Sequence, residues 1–390
     1  MKDFSYYCPT KMIFGKGTEN SVGKEVKGYS SKVLLHYGGG SIKKTGLYDR
    51  VTTSLKESGV EFVELGGAQP NPVLGLVRKG IKICRDNNIN FVLAIGGGSA
   101  IDSAKAIAVG VPYPGDVWDL YAGYKGSGLI KEALSVGAIV TIPAAGSEMS
   151  KNSVITKEEG LWKRSIATDL IRPKFAILNP ELTYSLPTYQ TFSGITDIFM
   201  HISERYFTNV PNVDFTDKMC EGALKNVVTS ARKILKNPTD YDARADIMLA
   251  AAFAHNDFFG MGRDGDWTSH RIEHEISGIY NVAHGAGLSA IYSSWAKYVY
   301  KDNVDRFVQF AEKVWGVQPD QQNPENTALE GIERMTNFFK EIGMPINLQE
   351  LNVPDDRFEE MANKADEATP LGSIKKIFRE DIINILNLSR

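Results

Sequence analysis

The chain has 390 residues, 43% hydrophobic and 23% charged, with a formal net charge of −3. That length exceeds one ordinary domain and can bury large cores without staples. The near-neutral charge, with no Lys/Arg run that builds a basic face, argues against a nucleic-acid partner. The most apolar windows, near 133–145 and 247–254, are too short to span a bilayer, so no membrane association is expected. Cys8, Cys84 and Cys220 are scattered, with no C-x-x-C, which gives no disulfide framework and fits a reducing compartment. Met1 to Gly15 lacks the apolar run of a signal peptide, and a cytoplasmic protein is expected.

In chain order, Phe4–Gly17 reads as a small hairpin. Apolar runs predict strands at Val33–Tyr37, Glu61–Leu65, Phe91–Ile95, Val136–Ile142 and Phe175–Leu178. Helical spacing fills stretches between them, such as Ser41–Ser58 and Val73–Asn88. Alternating strands and helices imply a mostly parallel sheet covered on both faces. From Pro187 onward helical periodicity dominates. In Asp217–Lys236 the residues Cys220, Leu224, Val227, Val228, Ala231, Ile234 and Leu235 form one stripe. Ile247–Phe259 is apolar on most faces and predicts a buried helix. Prolines 180 and 187 punctuate the switch, dividing an α/β domain (1–184) from an all-α domain (185–390).

Two glycine clusters follow strands. Phe91–Ile95 runs into Gly96-Gly-Gly-Ser99 and a helical stretch containing Asp102. Glycines let a backbone approach a phosphate, and the helix start offers unpaired N–H groups and a positive dipole end. The same run also reads as a tight turn with Ser99 as N-cap and Asp102 at the third helical position. Gly38-Gly-Gly-Ser41 follows Val33–Tyr37. Neither cluster completes G-x-G-x-x-G, so the expectation is a Rossmann-like dinucleotide domain without the standard fingerprint. The strand at 33–37 ends without an acid that would hold a ribose 2′-OH. Ser41, Lys43 and Lys44 there leave room and positive charge for a 2′-phosphate, which favours NADP, with NAD as the alternative.

The six histidines are His36, His201, His255, His270, His274 and His284. His201 lies four residues after Asp197, and His270 and His274 repeat that spacing, which puts each pair on one helix face. A carboxylate with imidazoles is a suitable shell for Zn²⁺ or Fe²⁺. Spacing alone leaves Asp197, His201, His270, His274 and His284 as five candidates for about four places. His274-Glu275 is not followed by the second histidine of a zinc protease. His36 and His255 have no partners in sequence and read as core residues.

The sequence resembles the iron-containing (group III) alcohol dehydrogenases, in particular the branch of NADPH-dependent butanol dehydrogenases and aldehyde reductases. The resemblance runs through Phe14-Gly-Lys-Gly17, Gly96-Gly-Gly-Ser99, Thr141-Ile-Pro-Ala-Ala-Gly-Ser147-Glu-Met149, Asn179-Pro-Glu-Leu, Pro187 to Gly194 with Asp197 and Glu204, and Trp267 to Gly287. Asn179 and Phe192 depart from the family's usual residues. The resemblance implies an α/β dinucleotide-binding domain followed by an all-helical metal-binding domain. It implies Asp197, His201, His270 and His284 as metal ligands, and His274 as proton carrier. It implies Gly39, Ser41, Asn71, Gly97, Gly98, Ser99, Thr141, Ser147 and Lys163 at the cofactor, with Asp102 near the nicotinamide ribose, where it could hold ribose hydroxyls or join a catalytic proton path.

The implied reaction is hydride transfer between NAD(P)H and a short- to medium-chain aldehyde or primary alcohol such as butanol, assisted by one Fe²⁺ or Zn²⁺, in a homodimer. The alternatives are a glycerol or diol dehydrogenase, a metal-assisted cyclase or lyase of phosphorylated sugars, and a non-catalytic metal- or nucleotide-binding protein. A phosphorylated substrate calls for several basic residues around the ion, where the sequence offers only Arg205, Arg263 and Arg271.

Overall fold

The computed structural model describes residues 1–121, 126–367 and 370–390. The chain divides into two compact units, Tyr7–Pro187, and Met1–Tyr6 with Thr188–Arg390.

The first unit is α/β. Its strands are β1 (Lys11–Phe14), β2 (Lys32–Tyr37), β3 (Glu61–Leu65), β4 (Phe91–Gly96), β5 (Ser135–Val140), β6 (Asn152–Lys157), β7 (Trp162–Ala167) and β8 (Phe175–Leu178). Six form one sheet in the order β1-β8-β5-β4-β2-β3, with every neighbouring pair parallel. Strands covered on both faces must be apolar throughout, and Phe91–Ile95 is fully buried. The helices are α1 (Val22–Lys27), α2 (Ser41–Lys44), α3 (Leu47–Glu57), α4 (Leu74–Asp86) and α5 (Gly98–Gly110). Gly46, at φ 71°, breaks the expected Ser41–Ser58 helix into α2 and α3. The order of strands reverses at β4: β2 and β3 lie on one side of it, β5 and β8 on the other. In such sheets ligands bind at the carboxyl ends of the strands beside that switch point.

One expectation fails here. Phe4–Gly17 is not a hairpin, because Lys11–Phe14 pairs in parallel with β8 at the sheet edge. Met1–Tyr6 belongs instead to the helical unit, where Lys2 N donates to Gly262 O at 2.9 Å and Tyr6 packs on Phe258. Apolar alternation marks a strand without naming its partner. The true hairpin is β6–β7, turned by Gly160 and Leu161 at φ 79° and 54°.

The second unit is helical: α6 (Thr188–Tyr206), α7 (Asp214–Lys236), α8 (Tyr241–Ala254), α9 (Thr268–Tyr280), α10 (His284–Val299), α11 (Val304–Trp315), α12 (Pro324–Glu341), α13 (Phe358–Asp366) and α14 (Arg379–Leu388). From Thr191 to Tyr206 every residue of α6 is buried, so this helix is central and its polar residues must find partners inside the protein. Phe199, Phe207, Trp295, Phe307 and Phe338 fill the core around it. The helix expected over Ile247–Phe259 stops at Ala254, and a short 3₁₀ turn follows over Phe258–Gly260. Among the described residues no helix is long and apolar enough to cross a membrane.

Candidate active site

In the α/β unit the residues expected at a dinucleotide gather at the carboxyl ends of β2 to β5. Gly97 precedes α5 as its N-cap, and Gly98 and Ser99 form its first turn. The alternative of Ser99 as N-cap is therefore not realised, and no side chain among the described residues caps this helix. Its first N–H groups stay available to an anion. Ideal Cβ atoms show why glycine stands at these positions. At Gly97 a Cβ would meet the Ile142 Cβ at 2.9 Å, a packing constraint. Among the described residues, at Gly98 it would meet only the Ala145 Cβ, at 4.0 Å, and at Gly39 and Gly40 nothing within 4 Å. Protein packing does not require glycine at those three, and the open space fits a phosphate approaching the backbone.

Around this turn, Thr141 N donates to Gly96 O at 3.0 Å. Asn71, buried at φ 54°, accepts from Lys163 Nζ at 2.9 Å, so Lys163 on β7 is a buried amine and not a solvated charge. Asp102 accepts from Ser147 Oγ and, at 3.0 Å, from Val154 N. Its burial pushes its pKa upward. Ser41 and Lys44 are exposed on α2. Lys43 is not a free charge for a 2′-phosphate: it lies 3.4 Å from Glu64 on β3, which also accepts from Tyr37 and Tyr48.

Sequence reading passed over Lys105. It is fully buried and donates to Ser147 O and Oγ, Ser150 O and Oγ, and Asn152 O at 2.6–3.1 Å. One ammonium thus pins the loop that carries Ser147, and burial lowers its pKa to about 8. A lysine inside an apolar helical run was the only available signal.

In the helical unit, Asp197 and His201 stand one turn apart on α6, His270 lies in α9 and His284 opens α10. The Nε2 atoms of His201, His270 and His284 lie 3.4, 3.7 and 3.8 Å from Asp197 Oδ1. A tetrahedral ion with bonds of about 2.1 Å places its ligand atoms about 3.4 Å apart. Among the described residues, Asp197 Oδ1 and His270 Nε2 are buried without a hydrogen-bond partner, a costly arrangement that a cation between them relieves. Asp197, His201 and His270 form one cluster able to hold a metal ion. His284 is the most accessible of the four, with its side chain 24% exposed. A second such triple, Glu273, His274 and His284, adjoins it, and the His274 ring lies 5.7 Å from that of His284. Burial and neighbouring cations hold His201 well below the usual histidine range. Burial also opposes charge on His270, but Glu204 and Asp197 outweigh it and lift that pKa to about 9. A metal entering here displaces that proton.

Two carboxylates were given no role by the sequence reading, Glu204 and Glu273. Glu204 falls at i+7 from Asp197 and i+3 from His201, on the same face of α6, which was a legible signal. His36 and His255 keep local roles. His36 is buried with Nδ1 2.8 Å from Leu65 O and Nε2 against Ser103. His255 Nδ1 lies 2.7 Å from Arg205 Nη2, and its ring centre lies 4.4 Å from that of His201, the two planes tilted by 30°. The three arginines near the cluster are engaged inside the protein. Arg205 lies over the Trp267 ring, Arg263 pairs with Asp217 at 2.8 Å, and Arg271 donates to Lys364 O.

Residues 9–180 match the iron-containing alcohol dehydrogenase family and residues 191–389 its C-terminal domain. The chain is 40% identical to NADH-dependent butanol dehydrogenase A of Clostridium acetobutylicum over the full length of both. It is 32% identical to the NADPH-dependent aldehyde reductase of Escherichia coli over 94% of each. The crystal structure of NADH-dependent butanol dehydrogenase A from Thermotoga maritima superposes with a TM-score of 0.95, at 38% identity, over 100% of this chain and 99% of the other. The chain belongs to the iron-containing alcohol dehydrogenase family.

Proposed function

We propose that this protein is an alcohol dehydrogenase and aldehyde reductase that moves hydride between NAD(P)H and a short- to medium-chain aldehyde or primary alcohol such as butanol. The observation that carries the reading is the set of three imidazole nitrogens around the buried Asp197 Oδ1, which has no hydrogen-bond partner among the described residues. Asp197, His201, His270 and His284 would hold one Fe²⁺ or Zn²⁺. When bound, such an ion supplies Lewis acidity that stabilises negative charge growing on a carbonyl oxygen.

The chain's own residues do the rest. The α5 N-terminus, with Gly97, Gly98 and Ser99, takes the pyrophosphate. Gly39 leaves room beside the β2 end, and Ser41 and Lys44 face the adenosine ribose. Asn71, Lys163 and Thr141 line the cofactor. Asp102, held by Ser147, accepts from ribose hydroxyls. His274 gives the product oxygen its proton from a ring nitrogen in the reducing direction and takes it back in the other. Ser41 and Lys44 favour a 2′-phosphate, whereas Glu64, by engaging Lys43, works against one, so both dinucleotides enter the test. The internal pairing of Arg205, Arg263 and Arg271 supports a reducible carbonyl over a sugar phosphate. The reading places the enzyme in the cytoplasm as a homodimer, which light scattering after gel filtration checks.

The test is oxidation of NADPH and NADH with butyraldehyde, on protein purified anaerobically, before and after chelation and with Fe²⁺ or Zn²⁺ restored. Metal-restored turnover is expected. No turnover with either dinucleotide, despite a bound metal, removes the assignment.

A further inference from the structure

Glu204 on α6 and Glu273 on α9 are both completely buried in the helical unit. An ionised carboxylate is tolerated there only with strong partners. Glu204 meets His270 twice: its Oε2 lies 2.5 Å from His270 Nδ1, and its Oε1 accepts from His270 N at 3.2 Å. Glu273 Oε2 meets Nδ1 of His284. A neutral imidazole carries one ring proton, and an anion beside Nδ1 places it there. The Nε2 lone pairs of both rings then point to the side where Asp197 Oδ1 lies, at 3.7 and 3.8 Å. His201 has no such clamp. Its Nδ1 finds no acceptor among the described residues, and its ring is held between those of His255 and His270, at 4.4 and 4.3 Å.

The backbone makes room for this arrangement. Position 287 on α10, one turn after His284, is glycine, and a Cβ there would lie 2.7 Å from Glu273 Oε1 and 2.8 Å from its Cγ. Each carboxylate also shares a helix with a ligand: Glu204 stands i+3 from His201, and Glu273 stands i+3 from His270. The two clamps cross between helices, since Glu204 on α6 grips a ring of α9 and Glu273 on α9 grips the ring that opens α10. The three segments that supply the imidazoles are thereby tied to one another.

We propose that Glu204 and Glu273 are positioning residues, which fix the tautomer and ring direction of His270 and His284 and set how firmly the helical unit retains a divalent ion. The inference rests on the metal-binding reading above. The charge count supports it. Asp197, Glu204 and Glu273 bring three negative charges to three imidazoles, so a divalent ion reduces the net charge to −1. Neutralising one carboxylate leaves the loaded site at zero, with weaker ligands and less hold on the ion.

The test uses the full chain loaded with Co²⁺, which reports its coordination through visible absorption, and follows loss of the ion to excess chelator. Glu204→Gln and Glu273→Gln keep an oxygen that accepts from Nδ1–H but remove the charge. Each is expected to weaken retention about 10- to 100-fold while preserving the absorption band shape. Glu204→Leu and Glu273→Leu, which also remove the acceptor, are expected to lose more and to alter the bands. Should a glutamate variant fail to fold, Gly287→Ala carries the test, because it displaces Glu273 without changing any charge; it must shorten retention. Wild-type protein that takes up no Co²⁺, Fe²⁺ or Zn²⁺ overturns the metal reading itself. Wild-type protein that binds the ion, beside glutamine variants or Gly287→Ala within twofold of it, overturns the positioning role alone.

Discussion

Adding one methyl group at each of two adjacent glycines separates a residue kept for packing from one kept for a ligand. In Gly97→Ala the new Cβ would sit 2.9 Å from the Ile142 Cβ and 3.4 Å from its Cγ1 and Cδ1. Overpacking of this kind costs about 1–3 kcal/mol. In Gly98→Ala the Cβ meets only the Ala145 Cβ, at ordinary contact distance, in the first turn of α5. Neither glycine has a positive φ, so no backbone strain opposes alanine. Gly98→Ala should therefore be neutral to stabilising, by about 0.4–1 kcal/mol from the stiffer unfolded chain. Its effect should fall on the dinucleotide instead. A methyl there stands in the approach of the pyrophosphate, and losing one hydrogen bond to a charged oxygen costs about 1.5–3 kcal/mol, roughly 10- to 150-fold in affinity. Urea unfolding measures the first quantity and NADH fluorescence titration the second. The expected pattern is a crossing: Gly97→Ala loses stability, whereas Gly98→Ala keeps it and loses NADH. A Gly98→Ala protein that binds NADH like wild type refutes the placement of the pyrophosphate; one that unfolds early refutes the packing argument.

Three further outcomes follow from buried groups. Asp197→Asn should lower metal affinity and metal-dependent turnover by more than about tenfold, since it removes the anionic ligand and not an outer partner; full metal occupancy against a chelator would exclude Asp197 as a ligand. Lys105→Met should cost about 3–5 kcal/mol in urea unfolding, because buried acceptors and Asp102 lose their cation; a loss under about 1 kcal/mol would mean the loop holds itself. His36 is driven down to about 4 by burial, against the 6.5 it has when unfolded. Its folded form thus stays neutral while the unfolded chain takes up a proton below pH 6.5, so stability rises with pH across that window. Between pH 7 and 5 wild type should lose about 2 kcal/mol more than His36→Gln; equal losses would show that His36 does not set the acid limb.

Part of the fold was legible because burial on both faces forces a strand to be apolar throughout. Phe91–Ile95 and Phe175–Leu178 announced themselves that way. Strands β6 and β7 did not. They read Asn-Ser-Val-Ile-Thr-Lys and Trp-Lys-Arg-Ser-Ile-Ala, and so many polar residues look like a loop when the partner strand is unseen. Ser41–Ser58 looked like one helix because its apolar spacing continues across Gly46, which turns the chain at φ 71°. For the candidate site, helical spacing put Asp197 with His201 and His270 with His274, but it could not say which ring atoms face a common point.

Composition, apolar periodicity and the glycine turns by themselves determined a parallel α/β sheet followed by helices, because those patterns follow from one element's own geometry and its need to bury one face. What tertiary structure alone decided is which charges are inside. Lys105, Glu204 and Glu273 have the residue types of a solvated surface, and in sequence a charge on a helix reads as outward-facing. They are buried because partners distant in the chain meet them: Lys105 the loop at 147–152, Glu204 the ring of His270, and Glu273 the ring of His284. The direction of each imidazole, and with it the point around which Asp197 and three histidines gather, depends on contacts across three helices. Such contacts exist only once the helices have packed.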